Sequence, residues 1–260
     1  MRGIFGAGAR RPLRCTAAKS HDVPKQSESS VAKNRSWFGD NASYGEDVAS
    51  IDTYARIRAA IDAALGSPGE MLDIGNGGVF DYDVGLPASL VALDLFLDRI
   101  DPADYPAHVR FVQGSALDVP LPAASFDTVL IVMLLHHLVG ASVDESLANV
   151  ERAIAEARRV LRPQGRLVIV ESCVPAWFYA FERAVFPLAS RVLDAAISHP
   201  VTLQYPKERL HAMLLRHFAS CRVSNVPKGK SVLQFGVKVP SWITPVQVEV
   251  FEATGARTPE

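Results

Sequence analysis

A glycine-rich turn directly follows the first apolar, strand-like run of the sequence. Met71–Asp73 begins that run, and Gly75, Gly77 and Gly78 follow it. Glycines at the carboxyl end of a first strand leave bare backbone against which a ligand can lie. The dinucleotide fingerprint would require a further glycine where this chain has Phe80. The spacing therefore argues against an NAD site.

A carboxylate ends the second apolar run, Val91–Asp94. At the end of a second strand, Asp94 can accept hydrogen bonds from both hydroxyls of a ribose, and two charge-assisted bonds hold the sugar in one orientation. Aspartate is also a common turn former at strand ends, so Asp94 alone does not distinguish the two roles. With the glycine turn before it, the ribose interpretation is favoured.

Adjacent histidines follow the fourth apolar run. His136 and His137 come at the edge where open α/β sheets bind ligands, and the neutral imidazole suits a general base near neutral pH. Capping of a loop is an equally good interpretation of either residue. His199 is the other candidate base. No set of Asp, Glu and His has the spacing of metal ligands, so we expect no metal.

Short β-rich runs alternate with helical ones, which predicts βαβ units and a parallel sheet. The runs are Met71–Asp73, Leu90–Asp94, Val109–Val112, Asp127–Met133 and Arg166–Glu171. Ser142 and Glu145 form a capping box at the start of the clearest helix. Between Val79 and Ala88 there is room only for a very short helix.

Two later runs complete the sheet. Cys221–Val226 and Val232–Val237 are joined by a Pro-Lys-Gly-Lys turn, and this predicts an antiparallel hairpin at the sheet edge. The predicted fold is therefore an α/β, Rossmann-like, seven-stranded and mostly parallel sheet. It has helices on both faces, an antiparallel edge strand and a helical insert after strand five.

The insert, residues 174–215, is aromatic and helix-prone. It contains the aromatic residues Trp177, Phe178, Tyr179, Phe181 and Phe186. They suit a lid over an apolar substrate, and the alternatives are a helix packed on the sheet or the interface of a homodimer. We expect the folded domain to cover residues 36–260. Residues 1–35, rich in Arg, Gly, Ala and Ser, are predicted to be a disordered leader, with a transit peptide as the alternative.

The composition excludes several classes of partner. The 27 Lys and Arg residues are balanced by 28 Asp and Glu residues, so no basic field exists to attract nucleic acid. The apolar run from Val129 to Leu138 is too short to span a bilayer. The cysteines show no CxxC spacing, which argues against a disulfide framework or a zinc site and favours a cytoplasmic location: Cys15, Cys173 and Cys221.

Three further segments join the glycine turn and Asp94 in one pattern. They are Phe111–Ala116, Leu121–Val129 and Arg158–Arg166, which contain a third-strand turn, a Pro-x-x-x-Phe-Asp entry to strand four and an Arg-Val-Leu-x-Pro turn into strand five. Together they resemble the motifs of class I S-adenosylmethionine-dependent methyltransferases. The resemblance is to the small-molecule branch that includes the ubiquinone and menaquinone methyltransferases.

The resemblance implies a set of S-adenosylmethionine-binding residues. Asp73, Gly75 and Gly77 would line the methionine half, Asp94 would hold the ribose, Ser115, Ala116 and Leu117 would face the adenine, and Met133 would lie near the sulfonium. Met133 is equally well explained as core packing. Two positions depart from the family pattern, because Val79 replaces a third glycine and Ser115 replaces an acid.

The resemblance also implies the reaction. We expect methyl transfer to a small organic acceptor, apolar or aromatic, with oxygen favoured over nitrogen or carbon because a histidine base is available. Two alternatives keep the fold but not the reaction. One uses the cofactor pocket for a non-methylating reaction such as cyclisation, and the other is a non-catalytic partner subunit.

Overall fold

The computed structural model of the chain describes residues 31, 35, 52–196, 202–234 and 237–257. The helices and strands are α1 (Asp52–Leu65), β1 (Glu70–Ile74), β2 (Ser89–Asp94), β3 (Val109–Gln113), β4 (Phe126–Val132), α2 (Val143–Val160), β5 (Leu161–Cys173), α3 (Ala176–Ala196), α4 (Lys207–His217), β6 (Phe218–Asn225), β7 (Ser231–Gln234), β8 (Val237–Pro240) and β9 (Gln247–Ala256).

The main sheet has seven strands in the order β3-β2-β1-β4-β5-β9-β6. The strands from β3 to β5 pair in parallel, whereas β9 runs antiparallel to both of its neighbours. This confirms the predicted α/β fold, with a mostly parallel sheet and antiparallel pairing at one edge. The carboxyl ends of β1, β2, β4 and β5 therefore meet at a single edge.

The predicted closing hairpin is wrong. The antiparallel partner of β6 is β9, and β7 pairs with β8 in a separate two-stranded sheet. Burial explains why β9 is the strand that joins the main sheet, because it contributes apolar side chains to both faces of that sheet. Val250 is 3% exposed on one face, and Phe251 is fully buried on the other. Glu249 and Glu252 interrupt the apolar pattern of β9, so this strand is not recognised from the sequence.

Helices cover the two faces of the sheet. On one face α2 packs Val150, Ile154 and Ala157 into a core cluster with sheet residues such as Val129 and Leu167. One half of the predicted capping box is present, since the Ser142 hydroxyl accepts from the Glu145 N–H at 3.1 Å and so satisfies an N–H group that the first turn leaves without a partner. The Glu145 carboxylate accepts at 2.8 Å from the N–H of Ala141, one residue before the N-cap, instead of from Ser142.

The opposite face is covered by α1. Its inward stripe, Ile57, Ile61 and Leu65, is 2% exposed at most and packs with Leu130 and Val168. Because successive strand residues point to opposite faces, neighbouring residues of β4 and β5 join different clusters. The central strands are thus packed between α1 on one face of the sheet and α2 on the other.

The short helix expected between β1 and β2 is absent, because residues 75–88 form a loop with no helical turn. Aromatic side chains fill the space beside the sheet instead. Phe80 packs edge-on against Tyr82 and Tyr105, each with ring centroids 5.7 Å apart, and Tyr105 packs on Phe111 at 4.8 Å. We call these four residues the aromatic cluster. Such edge-to-face pairs stabilise the packing beyond simple burial.

The predicted insert contains α3 and α4. Within the described ranges, no helix is both long and apolar enough to cross a membrane. His199 and most of the predicted leader lie outside the described residues. Arg35 is described: it forms an ion pair with Asp98, and its guanidinium lies 5.7 Å from the ring centroid of Phe96.

Candidate active site

The glycine turn after β1 lies against the turn after β4. Gly75 and Gly77 have φ of 82° and 59°, a region that favours glycine. A Cβ on Gly75 would come within 2.7 Å of the Leu134 side chain. Among the described residues, a Cβ on Gly77 would meet only the Asp94 carboxylate, at 3.8 Å. The backbone of Gly77 therefore borders open space in which a ligand can lie.

Asp94 connects this turn to β2. Its Oδ2 accepts from the Gly77 N–H at 2.9 Å and its Oδ1 accepts from the Phe96 N–H at 2.8 Å. Burial raises the pKa of the Asp94 carboxyl. A carboxylate has about four acceptor positions, so both oxygens keep capacity for further donors. The side chain thus lies beside the open space at Gly77, where the ribose role would require it.

Asp73 holds the loop that replaces the expected helix. Its Oδ2 accepts from Asn76 Nδ2 at 2.6 Å and from the Tyr82 hydroxyl at 2.8 Å. Asp73 is 2% exposed, and this burial raises the pKa of its carboxyl to about 7 against the lowering effect of the two hydrogen bonds. The contact between Tyr82 and Asp73 was not predicted from the sequence. Asp73 thus stabilises the glycine turn through hydrogen bonds to Asn76 and Tyr82.

Replacing Tyr82 with Phe is expected to lower the free energy of unfolding, and more at pH 8 than at pH 5. The folded-state pKa of Asp73 lies above its usual value of 3.8, so its contribution to stability is lost as the pH rises through about 7. At pH 8 the carboxylate is charged, and losing a bond to a charged group costs about 1.5–3 kcal/mol. At pH 5 the carboxyl is neutral and the expected loss is about 1 kcal/mol.

Urea denaturation at the two pH values measures this difference. Tyr179→Phe is the matched control, because it removes a buried hydroxyl that has no hydrogen-bond partner among the described residues. An equal loss of stability at both pH values in Tyr82→Phe would contradict the prediction, because it would show that the charge on Asp73 does not change between pH 5 and pH 8 in the folded protein.

The turn after β3 carries the residues predicted to face the adenine. Ala116 and Leu117 are 8% and 3% exposed. The Ser115 hydroxyl accepts from the Leu117 N–H at 3.1 Å, and Arg152 Nε of α2 donates to the Leu117 carbonyl at 3.0 Å. The turn is therefore fixed from two sides. Toward the other described residues, the Ser115 hydroxyl donates no hydrogen bond.

Met133 turns the chain sharply at the end of β4. Its φ is 48°, uncommon for a residue with a side chain, and its N–H donates to the Val170 carbonyl at 2.8 Å. Backbone in this region costs energy and clusters at functional sites. The turn directs the following residues, 134–138, across the carboxyl end of the sheet.

His136 is paired with a buried carboxylate. Its Nδ1 lies 2.6 Å from Glu171 Oε1, and Glu171 also accepts from the backbone N–H groups of Leu135 and Ser172 at 2.8 and 2.7 Å. The Glu171 side chain is fully buried, whereas 14% of the His136 side chain is exposed. Because Glu171 acts as an acceptor in these bonds, we assign the proton to Nδ1, which leaves Nε2 able to accept one.

His137 occupies a different position. It is 9% exposed, and its ring centroid lies 4.2 Å from that of His136 in a single 3-10 turn. The structure thus brings both histidines to the predicted edge but pairs His136 with the β5 carboxylate. Among the described residues, no group of three or more His, Cys, Asp and Glu is placed to hold a metal ion.

The insert closes over His136 and adds a second carboxyl. The Leu203 N–H donates to the His136 carbonyl at 3.0 Å. Burial raises the pKa of Glu182 on α3 to about 7, against the opposing effects of the Gln204 N–H and the nearby His136. Glu171 and Glu182 were missed from the sequence. An acid ending the apolar run Leu167–Val170 was a usable signal, because unpaired acids are rarely buried.

Comparisons with known proteins match the chain to methyltransferases. The family described as "Methyltransferase domain" matches residues 72–169. The chain is 33% identical over 136 residues to a demethylmenaquinone methyltransferase of Deinococcus radiodurans, covering 48% of this chain and 52% of that protein. It is 26% identical over 155 residues to a ubiquinone/menaquinone biosynthesis C-methyltransferase of Vibrio vulnificus, covering 55% and 53%. The chain thus spans about half the length of these relatives.

Solved structures share the fold. A 1,6-didemethyltoxoflavin-N1-methyltransferase of Burkholderia thailandensis, with S-adenosylhomocysteine bound, matches with a TM-score of 0.59 and 20% identity over 93% of this chain and 94% of that one. An N-methyltransferase of Bradyrhizobium japonicum matches with a TM-score of 0.50 and 12% identity over 77% and 87%. The resemblance seen in the motifs is confirmed: residues 72–169 match the family described as "Methyltransferase domain", and the chain has the fold of solved S-adenosylmethionine-dependent methyltransferases.

Proposed function

We propose that this protein transfers a methyl group from S-adenosylmethionine to a small organic acceptor, with a hydroxyl oxygen as the favoured atom. The observation that carries the proposal is the His136–Glu171 pair, 2.6 Å apart at the edge of the sheet that holds the glycine turn. The side chain of Leu134 packs against Gly75, so the candidate base and the candidate cofactor turn are neighbours.

The described residues fit the cofactor. The open space at Gly77 and the remaining acceptor positions of Asp94 suit the ribose and the chain attached to it. Ala116 and Leu117 offer a buried apolar wall for the adenine, and Met133 stands at the end of β4 for the sulfonium. Asp73 is buried below the turn, so its part in binding is to order the backbone.

The bound cofactor supplies an electrophilic methyl group, and the protein must align the acceptor with it in a dry pocket. A neutral hydroxyl must also lose its proton as the new bond forms. His136 Nε2 accepts that proton. Glu171 keeps the ring in the required tautomer and stabilises the imidazolium that results, a role that an orienting carboxylate has in other histidine bases. His137 and His199 are the remaining candidates.

The choice of partners follows from the surroundings of the site. The relatives named above are a demethylmenaquinone methyltransferase and a methyltransferase of ubiquinone/menaquinone biosynthesis, and α3 exposes Trp177 and Phe181 by 66% and 59%, which suits an apolar or aromatic acceptor. The net charge of −1 argues against nucleic acid. The same exposed residues suit a lid or a homodimer interface. The described cysteines, Cys173 and Cys221, are free, which supports the proposed cytoplasmic location.

Incubation with methyl-labelled S-adenosylmethionine tests the proposal. The acceptors to offer are quinols, phenols and matched aromatic amines, and we expect label on the oxygen of a phenol or quinol. Titration of S-adenosylhomocysteine runs in parallel. Binding without transfer to any acceptor would favour a non-methylating use of the pocket, and absence of binding would favour a non-catalytic partner subunit.

A further inference from the structure

A groove with a volume of about 500 Å³ opens between α3 and α4. Its lining residues are Tyr179, Ala180, Arg183 and Ala184 of α3 and Arg209 of α4. Ala180 and Ala184 lie one helical turn apart on the same side of α3, and their small side chains leave the space open. None of the predicted cofactor residues lines this groove. Its volume falls in the range of small-molecule sites.

Two arginines supply positive charge to the groove. Arg183 and Arg209 are both exposed. Across the part of the chain that the structure describes, neither takes part in a salt bridge, although arginines such as Arg159, Arg162 and Arg216 do. Arginine stays charged at any physiological pH and presents a planar set of donors that matches carboxylate and phosphate. The groove therefore offers two charged donors from two different helices.

Tyr179 adds a second, independent indication. The Arg209 guanidinium carbon lies 5.1 Å from the centroid of the Tyr179 ring, and this contact holds Arg209 at the groove. Tyr179 is 6% exposed, and its hydroxyl is buried without a hydrogen-bond partner among the described residues. A buried donor left without a partner is uncommon and costly. Tyr179 thus lines the groove with its ring and positions Arg209 there.

We propose that this arginine groove binds a small organic anion, whose carboxylate or phosphate group is held by Arg183 and Arg209. This groove is separate from the site that we propose for methyl transfer. Tyr179 separates the groove from the buried Tyr205, with ring centroids 6.2 Å apart, and Tyr205 pairs through its main chain with Cys173 at the end of β5. Binding in the groove stands whether or not the acceptor of the methyl group is identified.

Titration of the full chain with inorganic phosphate and with benzoate, followed by NMR at constant ionic strength, tests the proposal. We expect saturable shifts at the amides of Ala180 and Ala184. Arg183→Gln and Arg209→Gln should each weaken binding about tenfold or more, because each removes a charge-assisted hydrogen bond. Arg183→Gln is the cleaner variant, since Arg209 also packs on Tyr179.

Two controls isolate the site. Arg216→Gln changes an arginine of α4 that is paired with Glu151, and it should leave binding unchanged. Benzamide, which has the shape of benzoate without its charge, should not bind. Binding of phosphate alone or of benzoate alone supports the proposal and identifies phosphate esters or carboxylates as the ligand class. Absence of saturable binding, or equal binding by both groove variants and the wild type, overturns it.

Discussion

Replacing His136 with alanine is expected to lower turnover by roughly 10²–10⁴-fold, the usual contribution of a positioned general base. The expectation applies to a hydroxyl acceptor, whose proton must leave during transfer. Cofactor affinity should hardly change, because the base contacts the acceptor. His137→Ala is the matched control. It changes the neighbouring ring, which lies 4.2 Å away and is not the one paired with Glu171.

The pH dependence supplies a second measurement of the same role. With wild-type protein at saturating cofactor, the rate should rise with pH and then level off, since only neutral imidazole accepts a proton. The rise should disappear in His136→Ala and persist in His137→Ala. If His136→Ala lost tenfold or less and kept the profile, the acceptor would be an amine or an ionised oxygen, for which alignment suffices.

Asp94→Ala is expected to weaken binding of both S-adenosylmethionine and S-adenosylhomocysteine. Each hydrogen bond to a ribose hydroxyl contributes about 1.5–3 kcal/mol, less whatever water restores. Two such bonds predict an increase in Kd of roughly a hundredfold or more. Asp94→Asn keeps one acceptor oxygen and should fall between Asp94→Ala and the wild type. Calorimetric titration measures all three proteins.

The control for this variant must separate binding from folding, because Asp94 also accepts from Gly77 and Phe96. Asp104→Ala removes an exposed carboxylate from the loop before β3 and should leave the Kd unchanged. Thermal melts of Asp94→Ala without ligand record any loosening of the turn. Unaltered affinity in Asp94→Ala would mean that Asp94 is only a turn residue.

Local sequence patterns were sufficient for the parallel half of the sheet. The strands β1 to β5 are short apolar runs bounded by turn residues, and α2 has both an N-cap serine and a regular buried stripe. Glycine spacing and Asp94 also carry local information, and the structure does place Gly77 against the Asp94 carboxylate. In each of these cases the residues that decide the structure are close in sequence.

Long-range contacts explain what the sequence did not reveal. The pairing of β6 with β9 passes over the separate β7–β8 hairpin, so nothing local distinguishes it from the hairpin that we expected. Glu171 becomes the partner of His136 across 35 positions of sequence, and Tyr82 reaches Asp73 only because the loop folds back beneath the turn. Contacts between side chains that are far apart in the sequence produce no periodic pattern from which they could be predicted.

The chain passes from β1 to β2 without a helix, and this affects which charge a ligand can carry at the glycine turn. A helix starting there would place a partial positive charge, roughly half an elementary charge, at the turn and would favour phosphate. Residues 75–88 supply no such dipole, and side-chain oxygens of Asp94 and Asn76 already accept from the N–H groups of Gly77 and Gly78. The ionisable groups that contact the turn are the carboxyl groups of Asp73 and Asp94. When ionised, they favour a cation such as a sulfonium over a pyrophosphate, so the charge at the turn as well as the glycine spacing disfavours a dinucleotide.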